Sequence, residues 1–350
     1  MEGDSLYMDT ISYDNLMAAA MDVSKGKWGR HEWSEYFMHL EERVLDLHNR
    51  LVWGLYRPSP TVDFYVYEPK KRAVARPVLD DRIVQHAIMN TCERFFAKAT
   101  NPCSHACLKG RGVESAVHAW QRAMRSSLGL YGKRFLVVTI DFKSYYETVD
   151  LARVKALLAR HIPSPGVVSL ISSLIDSYVE LDECGVFPHR GLAIGNVLNQ
   201  HCANLNLFNL DCELSDGFGL GRRYVRYMDD LRMAVGARRE AEELMEHVAH
   251  HAETVLHQSL SAKKCHIRPF KGHDHFLGFD VHPHRLCPEM EKVKKMERRL
   301  TSLEPRWERG EVTDMQMLSS VSSALDYLAK TGSWSPEVER IARRVGVRMP

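Results

Sequence analysis

No apolar run in this chain approaches the roughly 18 residues that a membrane span needs. No N-terminal apolar stretch of the signal-peptide kind is present either. Together these absences point to a cytoplasmic protein with no membrane partner. Charge of one sign is also missing, since 47 Lys+Arg stand against 45 Asp+Glu for a formal net charge of +2. A uniformly basic surface is thereby excluded, and any grip on a polyanion must come from local patches. The eight cysteines, at 92, 103, 107, 184, 202, 212, 265 and 287, show no repeated CxxC spacing. Cys103 and Cys107 stand four apart with no second pair close by, so reduced thiols fit better than a structural zinc site. There is no internal repeat and no low-complexity tract. What remains is a 350-residue chain, 45% hydrophobic, with ample length for a core and several subdomains.

The most informative string is Tyr227-Met228-Asp229-Asp230, set between two short apolar runs. Val225 and Tyr227 alternate before the acids, and Leu231, Met233 and Val235 alternate after them. The pattern predicts strand, tight turn, strand, with both acids at the tip. Asp tolerates turn geometry, so an acidic pair in a hairpin is by itself a weak signal. A third acid strengthens it. Residues 135–140 (Phe-Leu-Val-Val-Thr-Ile) form a continuous run suited to a strand buried on both faces, and it ends in Asp141. A carboxylate at the exit of such a strand is costly unless a cation compensates it. Carboxylates from separate segments are what two divalent cations about 3.5–4 Å apart require. The carbonyl of Phe142 would add a further hard oxygen ligand. Tyr146, five positions after the acid, reads either as ordinary core or as a wall against a sugar 2′-position.

With these residues in view, the chain resembles a reverse transcriptase through most of its length. Asp141 with Tyr146 resembles the first palm motif, and residues 227–230 match the YxDD box. Leu260-Ser261-Ala262-Lys263-Lys264-Cys265 resembles the segment carrying the family's basic residue after the catalytic hairpin. Phe276-Leu277-Gly278-Phe279 resembles the primer-grip strand. Upstream, residues 68–72 (Glu-Pro-Lys-Lys-Arg) and 81–87 (Asp-Arg-Ile-Val-Gln-His-Ala) resemble the fingers of group II intron-like bacterial enzymes. Each string is short, and their order and spacing carry the weight. Ile194-Gly195 stands where retroviral and intron enzymes have Gln-Gly, as in the diversity-generating retroelement enzymes of bacteria and phages. Those usually continue with Ser-Gln, whereas this chain has Asn199-Gln200. That departure keeps the antiphage-defence reverse transcriptases as a competing subgroup.

The resemblance implies an α+β right-hand polymerase architecture with fingers, palm and a helical thumb. Residues 1–60 read as helices, with a stripe of Leu40, Val44, Leu45, Leu47 and Leu51 ended by Pro58 and Pro60. Fingers are expected over 61–134, including a strand over 61–67 and a helix carrying Ile83, Val84, Ala87, Ile88, Cys92, Phe95 and Phe96. Gly110-Arg111-Gly112 is a loop, either a plain turn or a place where backbone approaches phosphates. The palm is expected over 135–288, with helices at 167–181, at 196–210 (Leu205 and Phe208 inward) and at 238–258. The thumb is expected over 289–350, with Leu318, Val321, Leu325 and Leu328 as its apolar stripe. Too few residues follow it for an RNase H domain. Three basic clusters are candidates for phosphate contact or for solvated surface: Lys70, Lys71, Arg72 and Arg76; Lys292, Lys294, Lys295, Arg298 and Arg299; and Arg340, Arg343, Arg344 and Arg348. His273, His275, His282 and His284, flanked by turn residues, are expected at the surface or facing RNA.

For chemistry, the resemblance implies that Asp141 and Asp229 bridge two magnesium ions, with Asp230 in support. Lys70 and Arg72 would grip the triphosphate of a dNTP. Phe142, Tyr146, Ile194 and Gln200 would line the nucleotide pocket. Lys264, or equally Lys263 by spacing, would protonate the departing pyrophosphate. Tyr227 would lie beneath the primer end, beside Phe276, Leu277 and Gly278. An isoleucine in place of a glutamine amide removes a polar contact, so fidelity should lean on shape and relax, which a misincorporation assay would read. Implied partners are an RNA template, a DNA or RNA primer, dNTPs, and an accessory protein or a structured noncoding RNA. Two other readings stay open. One is an RNA-dependent RNA polymerase, which a bulky Tyr146 disfavours. The other is a non-catalytic RNA-binding scaffold, which three gathered acids disfavour.

Overall fold

The computed structural model describes residues 4–25, 31–60, 63–67, 72–182, 185–188 and 191–347. Lys70, Lys71, Cys184, Arg348 and the side chain of Arg72 lie outside that description, and with them the expectation of a triphosphate grip by Lys70 and Arg72.

A small hairpin comes first, β1 (Asp63–Val66) with β2 (Arg72–Ala75). The central sheet begins with β3 (Leu136–Asp141). A second hairpin, β4 (Val179–Asp182) with β5 (Gly185–Pro188), intervenes. The sheet is then completed by β6 (Tyr224–Tyr227), β7 (Asp230–Val235) and β8 (His266–Pro269), in the antiparallel order β6-β7-β3-β8. A meander of β9 (Asp274–Phe276), β10 (Phe279–Val281) and β11 (Leu286–Pro288) follows.

The apolar runs of β3 and β7 are buried on both faces because helices cover both. Val138, Ile140, Leu231, Met233 and Val235 point into one core, together with Ala241, Leu244, Val248 and Ala252 of the helix Arg238–Thr254. Val137, Val225 and Ala234 point the other way, onto Ala116, Trp120, Ala123 and Met124 of the helix Val113–Tyr131. The strand period of two thus sorts alternate residues into two hydrophobic layers. Helices Ser5–Ile11, Tyr13–Ser24, His31–Met38 and Leu40–Val52 form the N-terminal region, and Val44, Leu47 and Leu51 bury the expected stripe. Leu45 is half exposed and turns away from it. The helix expected around Ile83 runs from Leu79 to Lys98.

Several boundaries differ from the sequence reading. The helix expected over 167–181 is Pro165–Asp176, started by Ser164, whose Oγ accepts the Val167 N–H at 3.1 Å. Residues 179–181 instead join β4, where strand pairing outweighs a helical period. The helix expected over 196–210 starts after Asn196, whose side chain caps Leu198 and Asn199, and breaks at Leu207 before resuming at Phe208–Cys212. Leu205 is buried, while Phe208 is only half-buried, edge-on to His161. The helix expected to reach 258 stops at Thr254, since His257 takes a left-handed φ of 54°. In the C-terminal helix Asp314–Ala329, Met317 takes the inward place expected for Leu318, which is exposed. The Thr313–Gln316 capping box fixes that helix's start.

The basic clusters separate as well. Lys294, Lys295, Arg298 and Arg299 lie exposed along the helix Met290–Glu308, while Lys292 rests over the Tyr327 ring at 4.1 Å. Among the described residues of the C-terminal cluster, Arg340, Arg343 and Arg344 are engaged in ion pairs within the chain. Arg340 holds both oxygens of Glu304 at 2.9 and 2.7 Å, Arg344 reaches Glu304 at 2.8 Å and pairs with Glu308, and Arg343 pairs with Glu339. Hydrogen bonds from Arg340 hold the Glu304 carboxyl down to about 2, with Arg344 adding to the effect. A carboxylate lowered on folding stabilises the fold above its unfolded value, 4.5, and that contribution is lost as pH falls toward 2. The arginines are about half exposed, so after solvent screening we expect on the order of 1–2 kcal/mol. Glu304→Gln should flatten the acid limb of a pH–stability curve by that amount, as read by denaturant melts.

Candidate active site

The register of the central sheet brings the acids together. Tyr227 pairs with Asp230 across β6 and β7, leaving Met228-Asp229 as a two-residue turn. Met228 takes a positive φ of 54°, as the first residue of a mirror-type hairpin turn does. On the other side of β7, Asp230 is the direct partner of Asp141 at the end of β3. Two adjacent strand ends and one turn thus deliver three carboxylates to one edge. Burial pushes the Asp230 carboxyl up to about 6; the Asp141 and Asp229 charges add to the rise, and Arg232 and Lys264 oppose it.

Two cations already attend the trio. Lys264 Nζ lies 2.8 and 2.7 Å from the two oxygens of Asp141. Lys263 is exposed with no such contact, so position distinguishes two lysines that spacing left equal. Arg232, nearly buried on β7, donates to Asp230 and lies 3.5 Å from Asp274. Backbone bonds fasten the β3 exit from the far side: Ser261 N–H to the Asp141 carbonyl at 2.8 Å and Lys143 N–H to the Ser259 carbonyl at 2.9 Å. These use the groups flanking the Phe142 carbonyl, while the Phe142 ring itself is core.

Beneath the turn lies a feature the sequence did not suggest. Arg226 on β6 is fully buried, as is Asp211, and the two make a double contact at 2.7 and 2.6 Å. Arg226 Nη1 also donates to Asn204 Oδ1 at 2.9 Å and to the Met228 carbonyl at 2.8 Å. Tyr224 donates its hydroxyl to Asp211 at 2.7 Å. One guanidinium therefore ties the acid turn to the helix pair behind the sheet. The segment 103–107 seals the outer edge of β6, through Arg226 N–H to the Cys103 carbonyl and His105 N–H to the Arg226 carbonyl, each at 2.9 Å.

Tyr146, expected to line a nucleotide pocket, is half-buried in the one-turn helix Tyr145–Thr148. Burial raises its hydroxyl pKa, with Cys107 and Asp229 contributing, so it sits within the field of the acid turn. The loop 191–196 links it to the β1–β2 hairpin. Leu192 N–H donates to the Tyr146 carbonyl at 2.7 Å, and Ala75 N–H donates to the Ile194 carbonyl at 2.8 Å. Gly191 has φ 85°, and a Cβ there would lie 2.2 Å from the Tyr146 carbonyl oxygen, so no other residue fits. Ile194 is half-buried in this loop. Gln200 accepts from Cys107 Sγ at 3.4 Å, and Cys107 Sγ lies 3.5 Å from Met228 Sδ. Arg76, Arg82 and His86 line a cleft of about 300 Å³ beside Gly195. Arg111 bonds back to the carbonyls of Asn101 and Ser104, so the loop at 110–112 serves as a turn.

On the opposite side, Leu277 and Gly278 form the turn between β9 and β10. Tyr327 donates to the Gly278 carbonyl at 2.6 Å and ties this turn to the C-terminal helices. Phe276 is fully buried against Trp120, with the Arg232 guanidinium 5.1 Å from its ring centre, so it supports the hairpin from below and faces no groove. Tyr227 is half-buried beside this cluster. His273 and His282 stack on each other, and His275 pairs with Asp280 at 3.3 Å.

Three carboxylates and a nearby backbone carbonyl make an all-oxygen donor set, which suits magnesium far better than zinc. The rise of Asp230 toward 6, caused first by burial and then by the charges of Asp141 and Asp229, marks a carboxylate whose ionised form a bound cation would favour.

Comparison with known proteins agrees. Residues 68–281 match the profile of a family described as reverse transcriptase (RNA-dependent DNA polymerase). No curated protein sequence matches this chain. Among solved structures it is similar to telomerase from Candida albicans in complex with a TWJ fragment of telomeric RNA (TM-score 0.53, 9% identity, covering 83% of this chain and 64% of that one). It is likewise similar to the corresponding Candida tropicalis complex (0.51, 8%, 87% and 65%) and to the apo form of that telomerase (0.55, 8%, 98% and 76%). At such identities the likeness concerns the fold alone, a right-hand polymerase fold. The chain spans just under two thirds of the length of the first two. Among the described residues no helix is long and apolar enough to cross a membrane.

Proposed function

This chain belongs to the reverse transcriptase (RNA-dependent DNA polymerase) family, and from that premise we propose that it copies an RNA template into DNA by adding dNTPs to a primer. The family's enzymes are nucleotidyltransferases. The observation that carries the reading is the register placing Asp141 beside Asp230, with Asp229 at the adjoining turn. Asp141 and Asp229 would hold two magnesium ions, and Asp230, already engaged by Arg232, would support them. Bound there, the ions would supply activation of the primer 3′-hydroxyl and neutralisation of charge on the reacting phosphates. Lys264 keeps Asp141 paired in the resting site and stands closest to donate a proton to departing pyrophosphate. Tyr227 and the turn Leu277-Gly278 would seat the primer end. The exposed face of the helix Met290–Glu308 would follow the duplex backbone. Fingers over 61–134, palm over 135–288 and thumb over 289–350 would divide these tasks, after an N-terminal helical region over 1–60.

Primer extension by the full chain on an RNA template tests the reading. Activity with dNTPs and magnesium is expected, and incorporation of NTPs alone would point to an RNA polymerase instead. Tyr146 is the proposed wall against a 2′-hydroxyl. Tyr146→Ala should raise NTP use relative to dNTP use by about 10–100-fold in kcat/KM; an unchanged ratio would return Tyr146 to the core.

We further infer a place in a bacterial or phage diversity-generating retroelement, acting in the cytoplasm with an accessory protein and an RNA copy of a repeat. Ile194-Gly195 supports it. A gene neighbourhood holding instead a structured noncoding RNA and no repeat would favour antiphage defence.

A further inference from the structure

We propose that Glu213, His247 and His251 form a zinc site on the back of the central sheet, separate from the catalytic acids. His247 and His251 lie one turn apart on the helix Arg238–Thr254, so both imidazoles project from one face. Glu213 comes from a different element, the π-helical turn Glu213–Gly217. Its Oε2 lies 2.9 Å from His247 Nε2 and 2.9 Å from His251 Nδ1. All three donor atoms fall within 4.8 Å of one another.

The donor chemistry selects the ion. Two imidazoles and one carboxylate are a set that zinc takes, with a water in the fourth place, whereas magnesium and calcium prefer oxygen alone. Bonds of about 2.0–2.1 Å in tetrahedral geometry put ligand atoms about 3.3 Å apart, so the two separations from Glu213 Oε2 need to open by only a few tenths of an ångström, while the two imidazole nitrogens lie within 4.8 Å of each other. Access differs across the site. The side chain of His251 is 5% exposed and anchors it, while those of His247 and Glu213 are 31% and 42% exposed and leave a route for the ion and a water. Arg153, a cation whose field reaches His251, donates to Asn206 at 3.1 Å. The site has a structural use: the helix bearing both histidines covers β3 and β7, and Glu213 stands two residues after Asp211, the anchor of Arg226. A zinc ion would clip these two supports of the acid edge together.

The alternative is a carboxylate that merely accepts an N–H from each imidazole, and it predicts no tight zinc. The full chain, carrying no polyhistidine tag, is loaded with zinc chloride, dialysed against metal-free buffer and measured for zinc by mass spectrometry. About one zinc per chain should remain. His247→Ala and Glu213→Gln should each weaken zinc, titrated against a chromophoric chelator, by at least about tenfold. Asp229→Asn should retain zinc fully, which separates this site from the catalytic acids. Cobalt(II) should give the visible absorption of a tetrahedral site in the parent and not in His247→Ala. Should His247→Ala fail to fold, the partly exposed Glu213→Gln carries the reading. Zinc retention by the parent no greater than by Glu213→Gln, or lost in Asp229→Asn, would overturn the proposal.

Discussion

Asp229→Ala should lower primer extension by at least about three orders of magnitude while leaving the fold intact. Loss of a carboxylate that holds reaction cations removes several kcal/mol of transition-state stabilisation, and each 1.36 kcal/mol is a factor of ten. Asp229 sits in a half-exposed two-residue turn, so its removal opens no cavity in either core. Circular dichroism and melting midpoint should therefore match the parent. Asp141→Ala should behave alike in rate. Asp230→Asn should cost less, because Arg232 already occupies one side of that carboxylate. Parent-level extension by Asp229→Ala would remove the basis for the polymerase reading.

Arg226→Met should destabilise the fold by about 3–5 kcal/mol, the cost of leaving a buried partner charge uncompensated. Arg226 and Asp211 are each wholly buried, and Tyr224, Asn204 and the Met228 carbonyl complete the network. Because one arm of Arg226 holds the Met228 carbonyl, the same change should lower kcat more than KM for dNTP. The double variant Arg226→Met with Asp211→Leu should recover much of the stability, since neither charge then remains buried, but not the rate. Urea melts and steady-state kinetics on both variants separate the two effects. A single variant as stable as the parent would show that Asp211 finds another partner or is reached by water.

The acid edge was legible in the sequence because its signals are local. A β-branched run ending in Asp141 and an alternating pattern around Asp229 and Asp230 each declare a strand and its exit. The supports were not legible, because they depend on residues distant in the chain. Alternation with Val225 and Tyr227 would send Arg226 outward, yet both faces of β6 are covered and Arg226 is enclosed. The available hint was Asp211, an acid at helical spacing with Leu207, Leu210 and Leu214. Cys107, which touches both Gln200 and Met228, gave no signal beyond being a cysteine. At Phe276 the resemblance implied a primer contact, whereas the ring is buried in the core. The helix face differed by one residue at Leu318, because Met317, four positions before Val321, takes the buried place and the stripe fits either residue.

The pairing of Lys264 with Asp141 has a consequence for how the protein rests between turnovers. An ammonium group supplied by the chain itself acts as a placeholder counter-ion, so the charge of Asp141 is balanced before any solute arrives. Folding and chemistry are thereby uncoupled. Withdrawing magnesium alone would then silence the proposed chemistry yet leave the acid edge standing.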